Sequence, residues 1–209
     1  MAAESVRAAK REFRKQMRML LKATAPESIE RQSAQVTAQL LASAEYRASR
    51  SVALFLSMPG ELSTTEIVRD VLRTERPPLL HAHDMVQLRS WDDFQTLPKN
   101  SWGIPEPRPE DGRPNALDPA SSGLDLIVMP GLAFDRAGNR IGYGKGQAYR
   151  TAPALYYDRF LKRCFDMADE RGQPRPSTVA VALREQIVDE VPVDDHDIKP
   201  DRIEVAQSG

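Results

Sequence analysis

The chain has 209 residues, 41% hydrophobic and 28% charged, which suits one soluble domain with a single core and excludes a disordered polyelectrolyte. Lysine and arginine number 29 against 30 aspartates and glutamates, a formal net charge of -1, so overall charge predicts neither nucleic acid nor a membrane surface as a partner. A single cysteine excludes a disulfide framework and a cysteine-built zinc site.

The first segment sets Val6, Phe13, Met17 and Leu20 at helical spacing with Arg7, Lys10, Arg11, Arg14 and Arg18 on the other faces, an amphipathic basic helix. Charges interrupt residues 1–18 every few positions, unlike a secretory signal, and no apolar run approaches the ~18 residues of a membrane span. The cytoplasm is therefore the expected compartment, with mitochondrial import as the minor alternative for an Arg- and Ala-rich start. Thr24 and Glu27 form a capping box with Pro26 in the first turn, predicting a second helix to about Ser43.

Residues 51–57 (SVALFLS) read as a buried strand ended by Met58, Pro59 and Gly60, and a second capping box, Ser63 with Glu66, opens a helix through Ile67, Val71 and Leu72. Residues 79–89 are weakly strand-like. From 98 to 114 proline recurs too often for regular structure. Residues 124–129 (LDLIVM) and 178–183 (TVAVAL) are further buried strands, with a helix over 156–170 between them. Alternating strands and helices predict an α/β fold with a mainly parallel sheet covered on both faces, in one domain spanning 1–209. Ligands of such sheets gather beyond the carboxyl ends of the strands, here residues 58–61, 130–146 and 184 onward.

Those ends hold the candidate chemistry. In residues 134–146 (FDRAGNRIGYGKG), Gly142, Gly144 and Gly146 alternate beside Arg140 and Lys145. Alternating glycines let backbone N–H groups approach an anion, and the cations complement phosphate charge, although a glycine-rich surface turn has the same composition. Lys10 and Arg14, one helical turn apart, either hold a polyanion between them or form a solvated face. Glu61 either accepts hydrogen bonds from a ligand or complements the following helix dipole. Asp194, Asp195 and Asp197, with His196 among them, suit a hard cation or a surface acidic turn. His81 and His83 read as surface or interface histidines, Cys164 as a spectator thiol, and Trp91 and Trp102 as stacking or core residues.

In order along the chain stand Lys10 and Arg14, FLSMPGE at 55–61, SWGIPEP at 101–107, DLIVMPGLAFDRAGNRIGYGKG at 125–146, YYDRFLKR at 156–163 and LREQIVDEVPVDDHDIKPD at 183–201. This ordered set resembles the 5-formyltetrahydrofolate cyclo-ligase (5,10-methenyltetrahydrofolate synthetase) family over nearly the whole chain. The resemblance implies a three-layer α/β/α sandwich and an ATP- and Mg²⁺-dependent cyclisation of 5-formyltetrahydrofolate to 5,10-methenyltetrahydrofolate, releasing ADP and phosphate. It further implies that Lys10, Arg14, Arg140 and the backbone from Gly142 through Gly144 and Lys145 to Gly146 bind ATP, with Lys10, Arg140 and Lys145 catalytic. Leu56, Glu61, Trp102, Tyr156 and Tyr157 would contact folate or border its pocket, and Asp158 and Asp197 would hold the metal. A monomer is expected.

Two departures from the resembled pattern stand out. The family runs its glycine loop directly into the tyrosine pair, whereas residues 147–155 (QAYRTAPAL) intervene here, and a strand is expected to be lost near 76–83. The alternative function is therefore a folate- or nucleotide-binding pseudoenzyme or nonproductive isoform, impaired in turnover. A nucleic-acid-binding module built on the first helix is disfavoured by the near-zero net charge and the lack of an aromatic platform.

Overall fold

The computed structural model describes residues 2–74, 78–81, 85–100, 103–144 and 156–207. In chain order these form α1 (Ala2–Lys22), α2 (Pro26–Ala42), α3 (Ala44–Ala48), β1 (Val52–Leu54), α4 (Thr65–Arg73), β2 (Pro78–His81), β3 (Met85–Gln87) and α5 (Trp91–Thr96). Then follow β4 (Leu126–Met129), β5 (Ala133–Asp135), β6 (Arg140–Ile141), α6 (Tyr156–Glu170), β7 (Ser177–Ala182), β8 (Ile187–Val188) and β9 (Arg202–Val205).

The apolar runs 52–54 and 126–129 are buried at every position, and β7 is buried at all but its first, as strands covered on both faces must be. They lie centrally in a six-stranded sheet of order β3-β2-β1-β4-β7-β9, parallel throughout except for the β2–β3 hairpin edge. From β1 the chain crosses through α4 to β2 in one direction, and from β4 through α6 to β7 in the other. Right-handed crossovers of opposite direction put α4 and α6 on opposite faces, and α2 packs with α4 and against β9. The result is the three-layer α/β/α sandwich. Strand order reverses between β1 and β4, so the crevice beyond their carboxyl ends is the expected ligand position.

α1 contacts the 3-10 turn Arg184–Gln186 that follows β7, which brings this helix to the carboxyl edge of the sheet. Its inward face is close to the one the apolar spacing predicted, with Met17 buried and Phe13 packed against the core, but Lys10 and Leu21 are buried there too while Leu20 is 49% exposed. The buried stripe therefore mixes cations with apolar residues. Both predicted capping boxes are absent. α2 begins after Ala25 with no side-chain cap, and at α4 the hydroxyl of Thr64 donates instead to the Phe55 carbonyl at 2.8 Å, tying the helix start to the end of β1.

The span 76–83, where a strand is expected to be lost, contains β2, in parallel register with β1. Residues 75–77 and 82–84 lie outside the described residues. Among its described residues the proline-rich stretch carries only a 3-10 turn and an isolated bridge. It is fastened where the Arg113 guanidinium, 4% exposed, grips both oxygens of Asp93 at 2.6 and 2.7 Å. That hydrogen-bonded pair holds the Asp93 carboxyl below the usual carboxylate range.

A second sheet, β6-β5-β8, projects from the carboxyl end of β4. Its β5–β6 turn is pinned by the Asp135 carboxylate, which accepts from the Ala137 and Asn139 backbones, the Asn139 side chain and Val191. Burial opposes the charge on Asp135, but these donors outweigh it and hold the carboxyl below its ordinary value. Gly131, between the two sheets, leaves no room for a side chain: an added Cβ would meet the ring of fully buried Phe134, with both Cε atoms at 2.9 Å. Gly131→Ala is expected to cost about 3 kcal/mol by overpacking, read in urea unfolding as a lowered midpoint at unchanged slope.

Candidate active site

The carboxyl edge gathers four pieces of chain: the turn after β1, the hairpin β5–β6 with its glycine turn, the inward face of α1, and the acidic loop before β9. Lys10 is 6% exposed, and a buried ammonium must be paired. Its Nζ donates to Asp194 Oδ2 at 2.8 Å and to Asp197 Oδ2. The Lys10 hydrogen bond holds the Asp194 carboxyl below the ordinary carboxylate value. The loop is preformed by its own bonds, Asp194 N–H to Asp197 Oδ2 at 2.8 Å and His196 N–H to Asp194 Oδ1 at 3.0 Å.

Arg140 on β6 and Asp158 in the first turn of α6 form a second pair at 2.8 Å, with side chains 4% and 9% exposed. Asp158 Oδ1 also accepts from the Ile198 backbone at 2.9 Å, so one carboxylate joins the small sheet, α6 and the acidic loop. The Arg140 guanidinium carbon stands 5.9 Å from the ring centroid of Tyr157. Its Nε is buried with no hydrogen-bond partner among the described residues, a donor left over at the centre of the cluster.

Arg14 Nε donates to the Gly142 carbonyl at 2.9 Å and Arg18 to the Tyr143 carbonyl at 2.5 Å. Burial, reinforced by the like charge of Arg18, lowers the Arg14 pKa from its ordinary value. Gly144 has φ +66° and its position is close-packed: a Cβ there would lie 2.8 Å from Arg14 Nε. Gly144→Ala is expected to cost about 1–2 kcal/mol in left-handed backbone strain and to displace Arg14. Thermal unfolding should show a midpoint several degrees lower.

Beside this cluster opens a cleft of about 570 Å³, lined among others by Arg18, Ile29, Met58, Glu61, Leu132 and Tyr143. It sits at the crevice between the carboxyl ends of β1 and β4. Glu61 Oε2 accepts from the Met58 backbone at 2.7 Å, which fixes the turn after β1. The Tyr143 hydroxyl is held protonated, its pKa raised first by burial and then by the charge and hydrogen bond of Glu61.

The structure thus brings Lys10, Arg14, Arg140, Gly142, Gly144, Asp158 and Asp197 to one edge and puts Glu61 in the adjoining cleft. Leu56 is 8% exposed and does not line that cleft, and Tyr157 packs at Arg140 rather than there. Trp102, Lys145, Gly146 and the insertion 147–155 lie outside the described residues, as does the side chain of Tyr156. Among the described residues no group of three or more His, Cys, Asp or Glu is placed to hold a metal; Asp158 and Asp197 each face a cation. Cys164 is buried and its thiol is pushed up to about 12, chiefly by desolvation, as befits a spectator. Trp91 lies under Arg69 at 4.5 Å and against Phe94 at 5.1 Å.

Sequence reasoning missed Arg18 and Tyr143. Arg18 had a signal, since it follows Arg14 by one turn on the same helix face. Tyr143 had none, because only the fold brings it to Glu61.

An α/β/α sandwich with a cluster of cation–carboxylate pairs beside a cleft at its topological switch point has the layout of an α/β enzyme. The sequence profile of the 5-formyltetrahydrofolate cyclo-ligase family matches residues 6–206. A mouse 5-formyltetrahydrofolate cyclo-ligase is 38% identical over 210 residues, 97% of this chain and 96% of the relative. A Caenorhabditis elegans protein named as a probable 5-formyltetrahydrofolate cyclo-ligase is 29% identical, covering 95% of this chain and 93% of its own. Among solved structures, the Aquifex aeolicus 5,10-methenyltetrahydrofolate synthetase superposes with a TM-score of 0.70 at 29% identity, covering 95% of this chain and 90% of that one. The chain belongs to the 5-formyltetrahydrofolate cyclo-ligase family, a family of ligases, and its relatives support that activity.

Proposed function

We propose that this chain performs the ATP-dependent cyclisation of 5-formyltetrahydrofolate to 5,10-methenyltetrahydrofolate, with release of ADP and phosphate. The observation that carries the reading is the convergence of three buried or half-buried cations, Lys10, Arg14 and Arg140, beside a folate-sized cleft in a chain of this family. The formyl oxygen attacks the γ-phosphorus and ADP leaves. Nitrogen 10 then attacks the formyl carbon, and that oxygen departs as part of inorganic phosphate. Such chemistry asks the protein to hold the phosphates in line and to neutralise charge on the transferred group.

Lys10 and Arg140 supply that charge by exchanging partners, leaving Asp194, Asp197 and Asp158 for phosphate oxygens. The carboxylates so released fit magnesium, which needs only one or two protein oxygens when it also binds phosphate; bound there, it would spread charge on the transferred phosphoryl group. Arg14 holds the glycine turn that faces the nucleotide. The resemblance assigns Lys145 and Gly146 to the nucleotide, Glu61 to the polar edges of the pterin, and Tyr156, Tyr157 and Trp102 to the borders of the ligands. The chain acts as a monomer in the cytoplasm. An Arabidopsis thaliana relative carries a mitochondrial name, which keeps import as the alternative, and no described helix is long and apolar enough to cross a membrane.

The test is formation of the methenyl product, followed by its near-ultraviolet absorbance, with each of 5-formyltetrahydrofolate, ATP and Mg²⁺ omitted in turn. Product that requires all three supports the reading. A folded chain that binds 5-formyltetrahydrofolate and ATP without forming product supports the pseudoenzyme instead, and deletion of residues 147–155 then shows whether the insertion is the cause.

A further inference from the structure

Two turns meet in the cleft. The turn after β1 carries Glu61, whose Oε2 accepts the Met58 N–H. The turn after β6 carries Tyr143, whose carbonyl is held by Arg18 and whose neighbour Gly142 is held by Arg14. The tyrosine hydroxyl donates to the Glu61 carboxylate, and both residues line the same cleft. This bond ties the pterin-side carboxylate to the nucleotide-side turn.

We propose that Tyr143 is a positioning residue that fixes the Glu61 carboxylate for the folate substrate and couples that carboxylate to the glycine turn clamped by α1. This rests on the functional reading above and deepens it. A carboxylate with one oxygen on the Met58 amide still swings about its terminal torsion, which is broad for glutamate. A second donor from the opposite wall removes that freedom before the ligand arrives, so less ordering is left to oppose binding. Burial keeps the tyrosine protonated, and it therefore remains a donor throughout the ordinary pH range. Tyr143 needs no contact with the reacting atoms for this role.

The experiment is a double-mutant cycle on binding, measured by calorimetry with 5-formyltetrahydrofolate and separately with MgATP. Tyr143→Phe removes only the hydroxyl and keeps the ring that packs against the core. It should weaken 5-formyltetrahydrofolate binding about tenfold or more, the worth of one hydrogen bond to a charged group, while MgATP binding stays within about twofold. Glu61→Gln should also weaken folate binding, and the double variant should be no weaker than Glu61→Gln alone, because Tyr143 acts through Glu61. Unchanged folate binding in Tyr143→Phe overturns the proposal, as do effects that multiply in the double variant or an equal loss of MgATP binding. Failure of the functional reading looks different: the parent chain then gives no heat with 5-formyltetrahydrofolate, and the positioning role falls with it.

Discussion

Lys10→Ala should lower kcat by about 10²–10³-fold, the usual cost of removing one preorganised charge donor from a transition state. The lysine is buried at the meeting point of α1 and the acidic loop, where its charge is little screened by solvent. The substitution also strands Asp194 and Asp197, two adjacent carboxylates, without their counter-charge. Because the Asp194 side chain is 36% exposed, water relieves much of that repulsion and the stability loss should stay near 1–2 kcal/mol, below the value for a fully buried pair. Lys10→Arg should not restore the wild-type rate, since a planar fork cannot occupy the point between two carboxylates as an ammonium does. Steady-state kinetics beside urea unfolding separates the two effects: a large loss of kcat with a small loss of stability is expected.

A large loss of stability is expected at Asp158. Its carboxylate is buried with Arg140, and it also accepts the Ile198 amide, so Asp158→Ala leaves a buried guanidinium uncompensated and an amide without its acceptor. Breaking a buried pair from one side costs about 3–5 kcal/mol, a large share of the stability of an ordinary domain. Asp158→Asn keeps an oxygen for Ile198 and for Arg140, and should recover about half of the loss while still lacking the charge. Urea denaturation of the two variants checks the order: parent most stable, Asn next, Ala least. Equal stability of Ala and parent would show that the pair does not lock α6 to the small sheet.

The parts of the fold legible in the sequence are those where composition alone decides. The runs 52–54, 126–129 and 179–182 are apolar throughout and become central strands, and α6 begins at Tyr156 where the spacing predicted. β9 escaped notice because Arg202–Val205 alternates charged and apolar residues at half burial and gains its place only by pairing with β7. The small sheet escaped for a related reason: two- and three-residue strands have no periodicity to read, and this hairpin is specified by the Asp135 carboxylate rather than by apolar pattern.

At the site, the glycine turn, Lys10, Arg14 and Glu61 were legible as residue types, and the ordered motifs tied them to one family. Their partners were not, because Lys10 with Asp194 and Arg140 with Asp158 are pairings that only the tertiary fold can make. The first helix shows the limit most plainly. Apolar spacing placed Phe13 and Met17 inward but turned Leu20 inward too, whereas the helix buries Leu21 and, to satisfy the acidic loop, Lys10.

The fate of the formyl oxygen tests the proposed reaction most directly. 5-Formyltetrahydrofolate labelled with ¹⁸O in its formyl group is turned over with ATP and Mg²⁺, and the inorganic phosphate is analysed by mass spectrometry. One labelled oxygen is expected in each phosphate released, in step with methenyl product, because the oxygen leaves on the phosphorus it attacked. Product accompanied by unlabelled phosphate would contradict the proposed reaction.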